Sequence, residues 1–151
     1  MRHVRVVGAA GPAQWEGPSS TFLGRLPRST REQLLEQGTP MVYPKHRVLM
    51  RQGDDGQHLL LLTRGVVKVV TASESGTEML LGMRVAGDLV GEMAVFEERP
   101  RSGSVVACGE VAARILPLPL LEGFLARHPE ATKALMATLS ARLRTANQRR
   151  I

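Results

Sequence analysis

The chain has 151 residues, a length that suits one domain rather than two. Hydrophobic residues make up 43% of it and charged residues 23%, which excludes disorder of the whole chain. Its single cysteine, Cys108, excludes an intramolecular disulfide and any zinc or iron–sulfur site built from several cysteines, and it indicates a cytosolic protein. The net charge of +6 is scattered along the chain, so it does not by itself indicate a nucleic-acid partner.

The first two elements are read from turn residues and helix caps. Residues 1–20 have no hydrophobic periodicity and are rich in Gly, Pro and Ser, which predicts a mobile N-terminal arm. Ser29 and Glu32 then have the Ser-x-x-Glu spacing of a capping box. Leu34, Leu35 and a terminating Gly38 follow, so the spacing predicts a short helix that begins at Ser29.

From Tyr43 to Pro117, short apolar runs are separated by turns that contain Gly and Asp. Many short strands at regular spacing are typical of a sandwich, a barrel or a jelly roll. Cys108 follows one of these apolar runs and is predicted to be a small core residue. Seven strands are predicted, at Val48–Met50, Leu59–Leu62, Val66–Val70, Met79–Met83, Asp88–Val90, Ser104–Ala107 and Ala112–Leu116.

The pattern becomes helical after Pro117. A break at His128 precedes a long helix that is predicted to begin at Pro129, because proline suits the first helical turn. Four apolar residues of this helix have the 3-4-3 spacing of a two-stranded coiled coil: Met136, Leu139, Leu143 and Ala146. This stripe predicts a homodimer through residues 129–151; the alternative is that it packs on the β domain of its own chain, residues 21–128.

The segment from Gly87 to Val105 contains the residues with a recognisable chemistry. Gly91 and the helical turn that follows can expose backbone N–H groups to an anion. Arg101 offers a planar fork of donors suited to a phosphate, and Ser102 adds a hydroxyl. Glu92 only accepts hydrogen bonds when ionised, so it suits a sugar hydroxyl. Together these groups suit a ribose that bears a phosphate, although this spacing alone is a weak signal.

This segment resembles the phosphate-binding cassette of cyclic nucleotide-binding domains. The flanking features resemble, in order, the sensor domain of the catabolite activator protein (Crp–Fnr) family of bacterial transcription regulators. The resemblance covers about residues 22–150. It implies a mainly β fold with flanking helices, a double-stranded β-helix (jelly-roll) barrel followed by a long C-terminal dimerisation helix. The features that carry it are Tyr43-Pro44, Arg51 to Gly56, Leu62 to Val69 and Gly87 to Glu92.

The resemblance also implies a role for each residue of the cassette. Glu92 would bind the ribose 2′-hydroxyl. Arg101 would pair with the cyclic phosphate, helped by Ser102 and by the backbone N–H groups of Gly91, Glu92, Met93 and Ala94. The family usually has Ala after the Ser, whereas Gly103 stands there in this chain.

The purine base would meet the long helix near Ala146 and Asn147. Ala146 has no hydroxyl, and the amide of Asn147 carries both an acceptor and donors, so it can serve either adenine or guanine. The resemblance implies cAMP as the ligand, and the amide of Asn147 leaves cGMP as the alternative.

The function implied is that of a cytoplasmic sensor that binds a cyclic nucleotide, couples binding to the conformation of a dimer, and catalyses no reaction. In the family a helix-turn-helix DNA-binding domain follows the long helix, so DNA is expected as a partner only of a full-length protein, because this chain ends at Ile151. No metal, cofactor or membrane is expected. Two alternatives stay open: a ligand-free dimerisation module, and a metal-dependent cupin enzyme, although His3, His46, His58 and His128 lack metal-ligand spacing.

Overall fold

The computed structural model of the protein describes residues 5–6, 15 and 17–148. Its strands are β1 (Arg5–Val6), β2 (Thr39–Tyr43), β3 (Val48–Met50), β4 (His58–Arg64), β5 (Val66–Ala72), β6 (Glu78–Val85), β7 (Leu89–Val90), β8 (Ser104–Ala107) and β9 (Val111–Pro117). Its helices are α1 (Phe22–Arg25), α2 (Arg28–Leu34), α3 (Glu92–Glu97), α4 (Leu118–Arg127) and α5 (Pro129–Gln148).

The strands form two antiparallel sheets, with the orders β1-β2-β9-β4-β7 and β3-β8-β5-β6. All seven predicted strands are confirmed, and each of their ends agrees with the prediction to within two residues. The long helix begins at Pro129, as predicted. Strand β2 was missed, because Pro40 within it weakens the strand pattern. The mainly β architecture with a long terminal helix agrees with the predicted fold class.

Strand β4 separates the two parts of the hydrophobic core. Its four consecutive leucines, Leu59–Leu62, are all fully buried. Successive side chains of a strand point to opposite faces, so Leu59 and Leu61 pack among the helices while Leu60 and Leu62 pack between the two sheets. Burial of each leucine contributes about 1.5–3 kcal/mol to stability. This double burial explains why the run is continuous rather than alternating.

Helix α5 covers the helical part of the core with a narrow face. That face consists of Ala131, Ala134, Leu135 and Thr138, all buried. Glu130 begins the contact by accepting a hydrogen bond from Thr30 Oγ1 of α2 at 2.6 Å. None of the described helices is long and apolar enough to cross a membrane.

The predicted coiled-coil stripe of α5 divides between two surroundings. Met136 is 66% exposed and Leu143 is 63% exposed. Leu139 instead is half-buried and packs against the helical core of its own chain. Leu139 thus packs on its own chain, whereas Met136 and Leu143 face outward, and the homodimer stays a prediction.

Two local predictions were wrong. Helix α2 begins at Arg28, so Ser29 lies inside its first turn, and the helix has no side-chain cap. Pro27, with its restricted backbone, precedes the helix, and Glu32 pairs with Arg28 at 3.1 Å instead of closing a capping box. Cys108 is exposed rather than buried, because Ala107 ends β8 facing inward and the next residue turns outward.

The described part of the predicted N-terminal arm contacts the domain. Arg5 and Val6 pair with β2, and the Trp15 side chain packs against the helical core with the Arg31 guanidinium 5.2 Å from its ring centroid. Residues 1–4, 7–14, 16 and 149–151 lie outside the described residues. Mobility of the arm stays a prediction.

Arg114 of β9 is a buried cation with a structural role. Its Nε donates to the carbonyl oxygen of Gln37 at 2.5 Å and its Nη2 donates to that of Gly38 at 3.3 Å. Burial lowers the pKa of Arg114, and the charge of Glu36 opposes this shift. The side chain therefore ties β9 to the turn between α2 and β2.

We expect Arg114→Met to lower the free energy of unfolding by about 1–3 kcal/mol, because the substitution removes the donor of both carbonyl oxygens. Urea denaturation measures this change. Arg64→Met is the control: its pair with Glu110 is 61% and 56% exposed, so a change within about 0.5 kcal/mol is expected. Equal losses in the two variants would contradict the structural role of Arg114.

Candidate functional site

Strand β7 carries the beginning of the site. Val90 pairs with Leu60 of the buried strand β4, so the chain enters the site from the rigid core. Gly91 follows with a φ of 91°, a left-handed conformation that favours glycine, and helix α3 then begins at Glu92. A Cβ atom on Gly91 would lie only 2.4 Å from Arg101 Nη1. Glycine is therefore required here by both the backbone and the guanidinium.

The Arg101 side chain is buried, with 6% of its surface exposed. Its Nη1 donates to the carbonyl oxygen of Gly91 at 3.1 Å, and its Nη2 donates to that of His58 at 2.8 Å. A Cβ atom on Gly56 would lie 2.1 Å from the guanidinium carbon. The guanidinium is thus held between the backbones of two glycines.

The backbone of Arg101 is fixed by the turn that precedes β4. Its N–H donates to the carbonyl oxygen of Asp54 at 2.8 Å, and its own carbonyl oxygen accepts from the N–H of Gly53 at 2.8 Å. The side chain of Gln52 exchanges two hydrogen bonds with the backbone of Ala72, at 2.8 and 3.2 Å. The predicted turn at Gly53–Gly56 therefore orients Arg101, the residue that is predicted to bind the phosphate.

Burial governs the electrostatics of this end of the site. It lowers the pKa of Arg101, and the carboxylates of Glu92 and Asp54 oppose the shift. The guanidinium nevertheless stays cationic at neutral pH, because the ordinary pKa of an arginine lies far above 7. Burial and the charge of Arg101 lower the pKa of His58, so this imidazole is neutral at pH 7. Arg101 thus presents a desolvated cation to the site, a good partner for an anion.

A cavity opens beside Arg101, between α3 and the four-stranded sheet. It brings together five of the predicted site residues: Gly91, Glu92, Ala94, Arg101 and Ser102. Residues that the sequence did not single out complete its wall, among them Met50, Val69, Leu81 and Arg84. Met93 lies in α3, but its side chain lies outside the described part of the chain.

Glu92 joins the site to helix α5. This carboxylate is 8% exposed, and its Oε2 lies 3.0 Å from Arg142 Nη1. This distance is that of an ion pair. Nη1 has no hydrogen-bond partner in the described structure, so the contact with Glu92 does not have the geometry of a hydrogen bond. Arg142 Nη2 donates to the carbonyl oxygen of Leu89 at 3.0 Å and lies 3.5 Å from Asp88 Oδ1. Arg142 therefore holds three residues of the cassette.

Arg142 was not predicted from the sequence, because an arginine on a helix usually faces solvent. Its spacing carried a signal nonetheless: Arg142 lies one turn after Thr138 and continues the buried face of α5. The predicted base-binding residues behave differently. Ala146 and Asn147 are both exposed, and neither lines the cavity. Their role stays a prediction.

No group of three His, Cys, Asp or Glu side chains within residues 5–6, 15 and 17–148 could hold a metal ion. The site residues are one carboxylate, arginines, a hydroxyl and small residues, which is the chemistry of binding an anion and a sugar.

Comparisons with known proteins agree with this geometry. The family profile of the cyclic nucleotide-binding domain matches residues 40–128. The CRP-like cAMP-activated global transcriptional regulator of Mycobacterium tuberculosis is 30% identical over 76% of this chain and 51% of its own length. The cyclic AMP receptor protein of Thermus thermophilus is 33% identical over 70% of this chain and 49% of its own length.

The solved structure of the Thermus thermophilus catabolite activator protein is also similar. It superposes with a TM-score of 0.76 and 29% identity, over 85% of this chain and 60% of that one. The chain therefore belongs to the cyclic nucleotide-binding domain family, and the predicted resemblance to sensor domains of Crp–Fnr regulators is confirmed. These relatives are regulators and binding domains, not enzymes. The chain spans about half the length of these curated relatives.

We expect Glu92 and Arg142 to be energetically coupled. A double-mutant cycle with Glu92→Gln and Arg142→Met, read by urea denaturation, should give a coupling energy of about 1–3 kcal/mol, because removal of either partner leaves the other buried without its counter-charge. The same cycle on the exposed pair Arg28–Glu32 is the control and should give about 0.3–0.5 kcal/mol. Equal couplings in the two cycles would show that the contact with α5 contributes no more than a surface pair.

Proposed function

We propose that this chain is the sensor of a Crp–Fnr-type transcription regulator, and that it binds a cyclic purine nucleotide and passes the binding event to helix α5. The observation that supports this proposal most directly is the cavity that combines the buried side chains of Arg101 and Glu92 with the exposed Ser102. A cation, a hydroxyl and a carboxylate acceptor within one cavity match a phosphate joined to a ribose.

Arg101 and Ser102 would bind the cyclic phosphate. A guanidinium has five N–H donors, and the described contacts with the carbonyl oxygens of Gly91 and His58 use two of them. Because the side chain is already buried and held, an anion would meet a donor fork that loses little further freedom on binding. The backbone N–H groups of Gly91 to Ala94 are proposed to add donors to the same phosphate.

Glu92 would accept a hydrogen bond from the ribose hydroxyl, and through Arg142 it would report binding to α5. The same carboxylate pairs with Arg142 at 3.0 Å. A ribose hydroxyl that donates to Glu92 changes the charge distribution seen by Arg142, so ligand binding and the position of α5 are proposed to be linked.

The relatives support the ligand class. The Mycobacterium tuberculosis relative is described as cAMP-activated, and the Thermus thermophilus relative as a cyclic AMP receptor protein. We therefore propose a cyclic mononucleotide for this chain, with cAMP and cGMP as the two candidates. We further propose the cytoplasm as its compartment and DNA as the partner of a full-length regulator, as in the transcriptional regulators to which the chain is similar.

A homodimer through α5 belongs to the same proposal. Met136 and Leu143 are exposed and lie one heptad apart, so they fall on one side of the helix. Large apolar side chains of this kind are stabilised when a second copy covers them. The partly buried Leu139 would lie at the border between the dimer seam and the domain's own core.

Binding is expected to raise the melting temperature. At a ligand concentration of about 100 times Kd, linkage contributes about 2.7 kcal/mol, or roughly 5–10 °C for a chain of this size. Arg101→Leu should remove most of that shift. Ser102→Ala should remove part of it without disturbing the buried guanidinium, and Arg99→Leu, an exposed position two residues away, is the control.

Differential scanning fluorimetry with millimolar cAMP and with millimolar cGMP makes this measurement. A wild-type melting temperature that neither nucleotide changes would reject the sensor function and favour the ligand-free dimerisation module.

Substitution of the outward part of the stripe should produce monomers. Met136→Lys with Leu143→Lys would place four charges in the seam of the proposed dimer, which an apolar interface does not tolerate. Sedimentation equilibrium at tens of micromolar decides between dimer and monomer. Thr145→Lys, an exposed α5 position that points away from Leu143, is the control and should leave the dimer intact. A monomeric wild type would refute the seam.

A further inference from the structure

The indole of Trp15 packs against the turn that leads into the cassette. A Cβ atom on Gly87 would lie 2.7 Å from Cζ2 of Trp15, and a Cβ atom on Gly17 would lie 2.4 Å from the same atom. The ring is therefore enclosed between two glycines. The Arg31 guanidinium also lies 5.2 Å from the ring centroid, a cation–π contact. The proposed function gives this docked tryptophan no role.

Trp15 meets the five-stranded sheet at the edge where the cassette begins. Strand β1, which contains Val6, pairs with β2 at one edge of that sheet, and β7 forms the opposite edge. Strand β7 begins just after Gly87, the residue on which the indole packs. Val6 and Trp15 are thus fixed at opposite edges of one sheet, and Trp15 is the one beside the site.

The turn at Gly87 is closed by hydrogen bonds of the backbone. The N–H of Gly87 donates to the carbonyl oxygen of Leu62 at 2.7 Å, and its own carbonyl oxygen accepts from the N–H of Leu23 at 3.0 Å. The N–H of Leu62 donates in turn to the carbonyl oxygen of Asp88 at 2.9 Å. Because Gly87 and Asp88 share these contacts with Leu62, a shift of Gly87 would move Asp88 with it.

Asp88 connects this turn to helix α5 and to Glu92. Its Oδ2 accepts from the N–H of Val85 at 2.8 Å, and its Oδ1 lies 3.5 Å from Arg142 Nη2. The side chains of this pair are only 13% and 19% exposed, so little water competes for the contact. Arg142 Nη1 lies 3.0 Å from Glu92 Oε2. A continuous row of contacts therefore runs from the indole to the proposed ribose-binding carboxylate.

We propose that Trp15 is a positioning residue for nucleotide binding: its indole holds the turn at Gly87 and Asp88, which keeps Arg142 and Glu92 in place. The inference rests on the proposed binding of a cyclic nucleotide. It adds a contribution from the N-terminal segment, which lies outside the residues 40–128 that the family profile matches. Without the indole the turn gains freedom that ligand binding has to remove, and this ordering lowers the affinity.

Calorimetric titration of the full chain with cAMP and with cGMP tests this role. Trp15→Ala should weaken nucleotide binding roughly 3- to 30-fold. Trp15→Phe keeps an aromatic ring but not the edge that reaches Gly87, so its affinity should lie between those of the wild type and Trp15→Ala. Arg114→Met is the control: it removes a structural contact outside this row of residues and should leave the affinity unchanged. Circular dichroism verifies that each variant is folded.

Gly17→Ala displaces the indole without removing it, because the new methyl group would lie 2.4 Å from Cζ2 of a rigid ring. Trp15 is the only tryptophan of the chain, so its fluorescence emission should move to longer wavelength in this variant. Nucleotide affinity should fall about as far as in Trp15→Ala. A displaced indole with unchanged affinity would overturn the proposal. Equal losses of affinity in Trp15→Ala and Arg114→Met would do so too.

A measurement without nucleotide separates this proposal from the proposed function. In a double-mutant cycle of Trp15→Ala and Arg142→Met, read by urea denaturation, the two substitutions should be coupled by roughly three- to tenfold in the unfolding constant. Additive effects would show that the indole only packs on the core, and the positioning role would be lost. A wild type that binds neither nucleotide would refute the proposed function and the effect on affinity, whereas the cycle would still decide whether Trp15 positions Arg142.

Discussion

The double burial of strand β4 is the constraint on which the site depends. Its leucines pack into the helical core on one face and between the sheets on the other, so the strand has no freedom to shift. Both halves of the candidate site are fastened to it. The carbonyl oxygen of His58, its first residue, holds the Arg101 guanidinium, and Leu60 pairs with Val90 just before Gly91 and Glu92. Packing energy far from the cavity thus sets the separation of the two ligand-facing groups.

Helix α5 contacts the candidate site through its buried face, and the base contact that the resemblance implied for Ala146 and Asn147 stays a prediction. Arg142 continues the row of small buried residues and ends on Glu92, Asp88 and the carbonyl oxygen of Leu89. Glu92 of the proposed ligand site therefore contacts the helix that carries the exposed Met136 and Leu143. A ligand and a dimer partner would act on the same helix from two sides, which is a direct physical route for their coupling.

The sequence was most informative where the structure is local. Short apolar runs between glycine turns located seven strands, and the cassette residues lie close together along the chain, so both could be predicted. The contact of Arg142 with Glu92 could not, because it depends on which helix face the fold brings to the cavity. The predicted capping box failed for a related reason: the residue before the helix, Pro27, decided where α2 begins.

The glycines that enclose Arg101 bear on how such a domain can diverge. Gly56 and Gly91 leave no room for even one methyl group beside the guanidinium. A chain of this family could thus retain its arginine, serine and glutamate and still lose its response to nucleotide through a single alanine at either glycine. Inheritance of the ligand-contacting side chains is therefore an incomplete guide to which descendants still sense a nucleotide. The glycine pair has to be read together with them.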